Sequence, residues 1–224
     1  MQKSSRNAHA FTLIELLVVI AVIAILVGLL FPAFSAVQNQ ARRTQAKNDL
    51  TQIVTAVNAF YTEYGRYPTS ATTDATATYG STIINVSTAG PAASTNEVLF
   101  NELRAVGTPT LNTRLIVYIS PPDVKNPSQP KSGIGITGTG APAPLGQYWD
   151  PWGVPYTVRI DGDYDNSAIN PYGAQTTGGA GSDPVQTGVI AWSLGSDQKL
   201  GTNGNNVYKD PTIGAQSDDV ISWQ

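Results

Sequence analysis

The chain contains no cysteine, which excludes disulfides, thiol nucleophiles and thiolate metal sites. It has one histidine, His9, close to the N-terminus. If a leader ending near it is removed, neither imidazole nor thiol remains for Ser-His or Cys-His catalysis or for the usual zinc sites. Charge is also scarce, at 13% of 224 residues, and the formal net charge of -3 leaves no basic footprint for nucleic acid. Glycine (21) and proline (15) are plentiful, a mixture that suits a loop-rich, surface-exposed domain more than a compact helical enzyme. Carboxylate pairs exist, as at Asp218 and Asp219. Neighbours on a strand point to opposite faces, however, and nothing marks a cleft for paired-acid hydrolysis. The expectation is a protein that is not an enzyme.

What the chain does have is one long apolar run, AFTLIELLVVIAVIAILVGLLFPAFSAV, from Ala10 to Val37. A bilayer core of about 30 Å needs roughly 20 such residues in a helix, so the run is long enough to span. The segment before it is short and polar and carries Lys3 and Arg6. A secretory signal would place small residues and a cleavage site after the run, but here the run continues into further helix. Glu15 is its only charge, and a carboxylate in hydrocarbon costs about 2.5–3.5 kcal/mol, so Glu15 needs a partner.

These residues resemble the class III signal of type IV prepilins and type II secretion pseudopilins: a polar basic leader, a cut before Phe11, then Glu as the fifth residue of the mature chain. The resemblance implies that a prepilin peptidase cuts between Ala10 and Phe11 and methylates the new amine. It also implies that Glu15 pairs with the Phe11 amine of a neighbouring subunit during assembly, and Pro32 fits the same pattern. The family normally has Gly before the cut, so Ala10 implies slower processing. The implied partners are copies of the same chain in a helical polymer, other pseudopilins and an inner-membrane assembly platform. The implied location is the inner membrane, single-pass, with the head in the periplasm.

Beyond the membrane, Leu50, Ile53, Val54, Val57, Tyr61 and Tyr64 recur at three- and four-residue steps and mark one apolar helix face. Gly65 and Pro68 then stop the helix. The domain reading is a leader at 1–10, a helix at 11–64 and a globular head at 65–224. Within the helix, 11–34 serves membrane and assembly, and 35–64 lies under the head. Such a helix is roughly 80 Å long at 1.5 Å per residue, with a kink expected at Pro32.

In the head, 68–94 reads as a long loop with a short strand at Thr82–Val86. Ser94 and Glu97 form a candidate capping box for a helix with Val98, Leu99, Leu103 and Val106 on its apolar stripe, ended by Gly107 and Pro109. LIVYI (115–119), YTVRI (156–160), VIAWSL (189–194) and VISW (220–223) read as strands. They predict an antiparallel sheet of three or four strands packed on the long helix, with 121–147 as an exposed excursion. DPWGVPY (150–156) resembles a segment of the major, G-type pseudopilins of type II secretion, in which Pro151 and Pro155 flank a Gly turn and Trp152 plugs the core. The fold this resemblance implies is α+β, the type IV pilin fold.

Calcium takes six to eight oxygen ligands, and the C-terminal loop offers Asp197, Asn203, Asn205, Asn206, Asp218 and Asp219. SLGSD through SDDVISW (193–223) resembles the calcium loop of the G-type subunit. That resemblance implies that Asp197 and Asp218 or Asp219 ligate by side chain and Leu194 by its carbonyl. The stretch 207–217 lengthens this loop relative to the family. A second acidic stretch, Asp161, Asp163 and Asp165, has Asn166 and Tyr172 where an EF-hand loop requires Gly and Glu; it reads as a polar hairpin turn. The function implied is a structural subunit of a type II secretion pseudopilus, and the alternative is a pilin of a type IV pilus for adhesion, motility or DNA uptake.

Overall fold

A computed structural model describes residues 12–80, 94–136, 145–173, 180–202, 207–210 and 214–224, with the side chains of 29–33 outside the description. It is α+β, as expected of a type IV pilin fold: a long N-terminal helix followed by a small sheet. The chain divides into two compact units, 1–41 and 42–224.

Helix α1 runs Leu13–Tyr64, 52 residues. Neither Gly28 nor Pro32 ends it, because a helical proline loses one donor while the surrounding ladder persists. Gly65 takes φ +64 and donates its N–H to Tyr61 O at 2.8 Å, a left-handed exit that glycine adopts without strain. Within the second unit, the buried face of α1 is Ala46, Leu50, Ile53, Ala56, Val57 and Phe60. The expected face is thus corrected at its C-terminal end, where Phe60 replaces the exposed Tyr61 and stacks on Tyr64.

Among the described residues the main sheet has five strands in the order β2-β1-β5-β6-β7. These are β1 (Thr78–Gly80), β2 (Ser94–Thr95), β5 (Thr157–Ile160), β6 (Val189–Ser193) and β7 (Val220–Ile221); β3 (Gly133–Ile134) and β4 (Tyr148–Trp149) form a separate antiparallel pair. The sheet is mixed, not purely antiparallel, because β1 and β2 run parallel. Residues of β6 alternate between two cores. Val189 and Ala191 face α1 and helix α2 (Asn96–Arg104), whereas Ile190 and Trp192 face a layer containing Ala168, Tyr172 and Leu200. A strand covered on both sides reads as a continuous apolar run, which is why this one stands out in the sequence.

Other expectations are corrected. LIVYI is not a strand: Leu115 has φ 53, the Asn112 side chain takes the Ile116 N–H, and Tyr118 N–H goes to Leu103 O. Strand β1 lies instead in the stretch read as loop, while Thr82–Val86 falls outside the described residues. The stretch 121–147 contributes β3 and buried Val124, so it is not wholly an exposed excursion. Helix α2 has Thr95 as N-cap with no side-chain cap bond, and it closes on left-handed Ala105. Its buried stripe contains Leu99, Phe100 and Leu103, while Val98 is exposed.

Asn96 fixes α2 to the hairpin region. Fully buried, it donates to Tyr148 O at 2.9 Å and Tyr156 O at 2.8 Å and accepts Tyr148 N–H at 3.2 Å. Asn96→Ala leaves these groups dry and unpaired, so it is expected to destabilise the protein by about 2 kcal/mol. A urea melt with an unchanged m-value and a lower midpoint checks this.

Candidate functional site

Two places carry the sequence-derived site residues. At the start of α1, Thr12 and Glu15 cap each other. Thr12 N–H and Oγ1–H donate to Glu15 Oε2 at 2.9 and 2.7 Å, and Glu15 N–H donates to Thr12 Oγ1 at 3.3 Å. This reciprocal pair is a capping box, which satisfies backbone donors that a helix start otherwise leaves open. Glu15 therefore has a partner within its own chain. The T-x-x-E spacing is visible in the sequence, so this contact was there to be read. Ala10 and Phe11 lie outside the described residues, and Pro32 lies inside α1 with its side chain outside the description.

From Leu13 to Val27 every large apolar side chain of α1 is 50–81% exposed. A helix that is apolar on all sides belongs in a membrane or in a surrounding assembly. Among the described residues, no helix is long and apolar enough to cross a membrane. The span expected over 11–34 is thus not reproduced by them, since that stretch includes side chains outside the description.

The second place joins the end of β6 to the start of β7. Leu194 is buried there, and Gly195 has φ +66 and lies where a Cβ would come within 2.5 Å of Asp218 O. That close approach brings carboxylate oxygens of Asp197, Asp218 and Asp219 within 4.8 Å of one another. Asp218 Oδ2 accepts Ser196 N–H, Ser196 Oγ–H and Asp197 N–H at 2.5, 2.5 and 3.1 Å. Asp219 is 3% exposed; its Oδ2 accepts Tyr172 O–H at 2.7 Å and Gly201 N–H at 2.6 Å. Among the described residues Asp219 Oδ1 is buried without a hydrogen-bond partner. Burial pushes the Asp219 carboxyl up to about 7, and raises Asp197 as well.

An unpaired buried carboxylate oxygen beside two further carboxylates is unfavourable without a proton or a cation, so the residues present fit a hard divalent ion with oxygen ligands. They bring together three of the expected ligands. Leu194 stands at the edge of the same loop, and Asn203, Asn205 and Asn206 lie outside the described residues. Tyr172, Ser196 and Gly201 were not among the expected site residues; Tyr172 is 47 positions from Asp219, and nothing local in the sequence signals that pairing. Helix α1 holds the loop from below: Arg43 donates to Ser217 O at 3.1 Å, and Lys47 donates to Ile221 O at 2.8 Å and to Gln224 O.

The other acidic stretch is rearranged relative to its sequence reading. Asp74 joins Asp161 and Asp163 within 4.8 Å, while Asp165 turns to Ser167. Asp74 accepts Gly162 and Ile169 N–H, and Asp161 accepts Asp165 and Asn166 N–H. These carboxylates are spent on backbone amides and organise a polar turn. It is not a tight hairpin, because 161–188 separates β5 from β6. In DPWGVPY, Asp150 accepts Trp152, Gly153 and Val154 N–H at 2.8–2.9 Å and Ser193 Oγ–H at 2.6 Å, with Trp152 in the core. Asp150 thereby ties this turn to the strand leading into the carboxylate loop, although burial pushes its carboxyl up to about 6.

Comparison with known proteins places the resemblance at the N-terminus. Residues 5–31 match the family described as the prokaryotic N-terminal methylation motif. The chain is 40% identical over 59 residues to the type IV major pilin protein PilA of Myxococcus xanthus. That stretch covers 26% of this chain and 27% of the relative, so the match spans about a quarter of the relative's length. No solved structure matches. The motif implies processing by a prepilin peptidase and a membrane-anchored N-terminus, and the two matches together make the N-terminal segment type IV pilin-like.

Proposed function

We propose that the chain is the structural subunit of a type II secretion pseudopilus. It is cut between Ala10 and Phe11, methylated at Phe11 and held single-pass in the inner membrane with its head in the periplasm. It then polymerises through 11–34, together with other pseudopilins on an inner-membrane assembly platform. The observation that carries this reading is the exposed apolar start of α1, in which Glu15 is the one charge between Leu13 and Val27, coinciding with the methylation motif at 5–31. Packed against copies of itself, that surface leaves water or lipid without exposing any backbone donor. Among the described residues Glu15 is capped through Oε2, which keeps Oε1 for the Phe11 amine of a neighbouring subunit.

In the head, Asp197, Asp218 and Asp219 would hold calcium, with the Leu194 carbonyl, Asn203 and Asn205 completing the shell. The bound ion supplies positive charge that neutralises the carboxylates. The chain's own part is geometric: Gly195 permits the close approach, Ser196 orients Asp218, and Arg43 and Lys47 fix the loop on α1.

A second reading, a type IV pilus subunit for adhesion, motility or DNA uptake, is favoured by the name of the Myxococcus xanthus relative. DPWGVPY and the carboxylate loop favour the pseudopilus. Deletion of the gene separates them: loss of exoprotein in culture supernatant with intact surface motility and transformation is expected. Loss of motility or transformation with normal secretion would give the second reading.

A further inference from the structure

We infer that Tyr172 is the positioning residue of the cation site, holding Asp219 so that one oxygen, Oδ1, is left for the metal. The inference rests on the calcium reading above. Asp219 Oδ2 accepts Tyr172 O–H at 2.7 Å and Gly201 N–H at 2.6 Å, while Oδ1 is buried and without a hydrogen-bond partner among the described residues. Two donors on one oxygen fix both the rotation of the carboxylate and its mode of ligation. Oδ2 is occupied, so Asp219 serves as a single-oxygen ligand and does not chelate through both.

Tyr172 can do this because its backbone is held from outside the loop it serves. Its N–H donates to Asn170 Oδ1 at 3.0 Å, and the Asn170 side chain donates to Ala180 O and Ser182 O. Its ring meets Tyr208 edge-on at 5.3 Å and lies 6.3 Å from Trp223, whose indole donates to Ala180 O. Residues 168–173 and 180–182 thus form a platform that reaches the carboxylate cluster through the Tyr172 hydroxyl. Groups that orient a metal ligand typically account for 10–100-fold in affinity.

The test is calorimetric titration of CaCl2 into the full-length chain in detergent micelles, for wild type and Tyr172→Phe, with melts in EGTA and in calcium alongside. Phenylalanine keeps the ring and removes only the hydroxyl. The expected result is a calcium Kd raised at least tenfold and a smaller calcium-induced rise in Tm. A Kd within threefold of wild type overturns the role of Tyr172 while leaving the calcium site standing. A wild-type chain that takes up no calcium overturns both. If the variant melts lower in EGTA, the increment from EGTA to calcium decides, because a tyrosine that only packs leaves that increment unchanged.

Discussion

Glu15→Gln is expected to insert in the membrane and to be processed, yet to enter filaments at least about a hundredfold less than wild type. Glutamine preserves the reciprocal cap with Thr12, since either Glu or Gln serves at that position. It removes only the charge. Stripping one partner from an ion pair in a dry helix bundle costs about 3–5 kcal/mol, and each 1.4 kcal/mol is about tenfold in an equilibrium. Thr12→Ala makes the opposite cut, keeping the carboxylate and losing the cap, at about 1 kcal/mol; assembly should fall only severalfold. Quantifying filament-associated subunit against membrane-bound subunit by immunoblot checks both. Wild-type assembly by Glu15→Gln with strong loss in Thr12→Ala would assign Glu15 to helix capping alone.

The second large effect joins calcium to pH. Asp150 and Asp219 are buried acids whose carboxyls burial holds at about 6 and about 7, above the ordinary 3.8. For a raised acid the folded state keeps a proton that the unfolded state releases. The associated stability is therefore complete below the ordinary value and lost as pH rises through the folded one. In EGTA, stability should decline between about pH 4 and pH 7, on the order of 3–4 kcal/mol for Asp219 taken alone at 1.36 kcal/mol per unit.

At the proposed site calcium and the proton would compete for Asp219, whose carboxylate lies within 4.8 Å of those of Asp197 and Asp218. A hundredfold excess of calcium over its Kd adds about 2.7 kcal/mol, or roughly 5–10 °C for a chain of this size. Melts at pH 8 should show this rise and melts at pH 5 should not. An equal rise at both pH values would place the ion elsewhere; none at pH 8 would remove it.

What the sequence disclosed tracks how local each signal is. The apolar run, the periodicity of α1 through Leu50, Ile53 and Val57, and the doubly buried strands β5 and β6 are patterns within single elements, and all were legible. Strand β1 was not, since Thr78–Gly80 sits in a run of small polar residues and becomes a strand only through pairing with β5 and β2. LIVYI shows the converse: strong strand preference is overridden where the Asn112 side chain and the end of α2 take its backbone groups. At the carboxylate loop the grouping of Asp197, Asp218 and Asp219 was legible from the resemblance. Tyr172 was not, because its role exists only once distant segments meet. The Thr12–Glu15 cap is legible from its spacing, whereas the same spacing at Ser94 and Glu97 misplaces the start of α2, whose N-cap is Thr95 and makes no side-chain cap bond.

The central claim is that subunits assemble through the apolar start of α1, and the absence of native cysteine allows a direct test. Single cysteines are placed in turn from Leu13 to Val27 in the full chain, and cells are treated with a membrane-permeant oxidant. Dimers at successive positions that disappear in the Glu15→Gln background are the expected result. Monomer at every position, with filaments still present, would contradict the account.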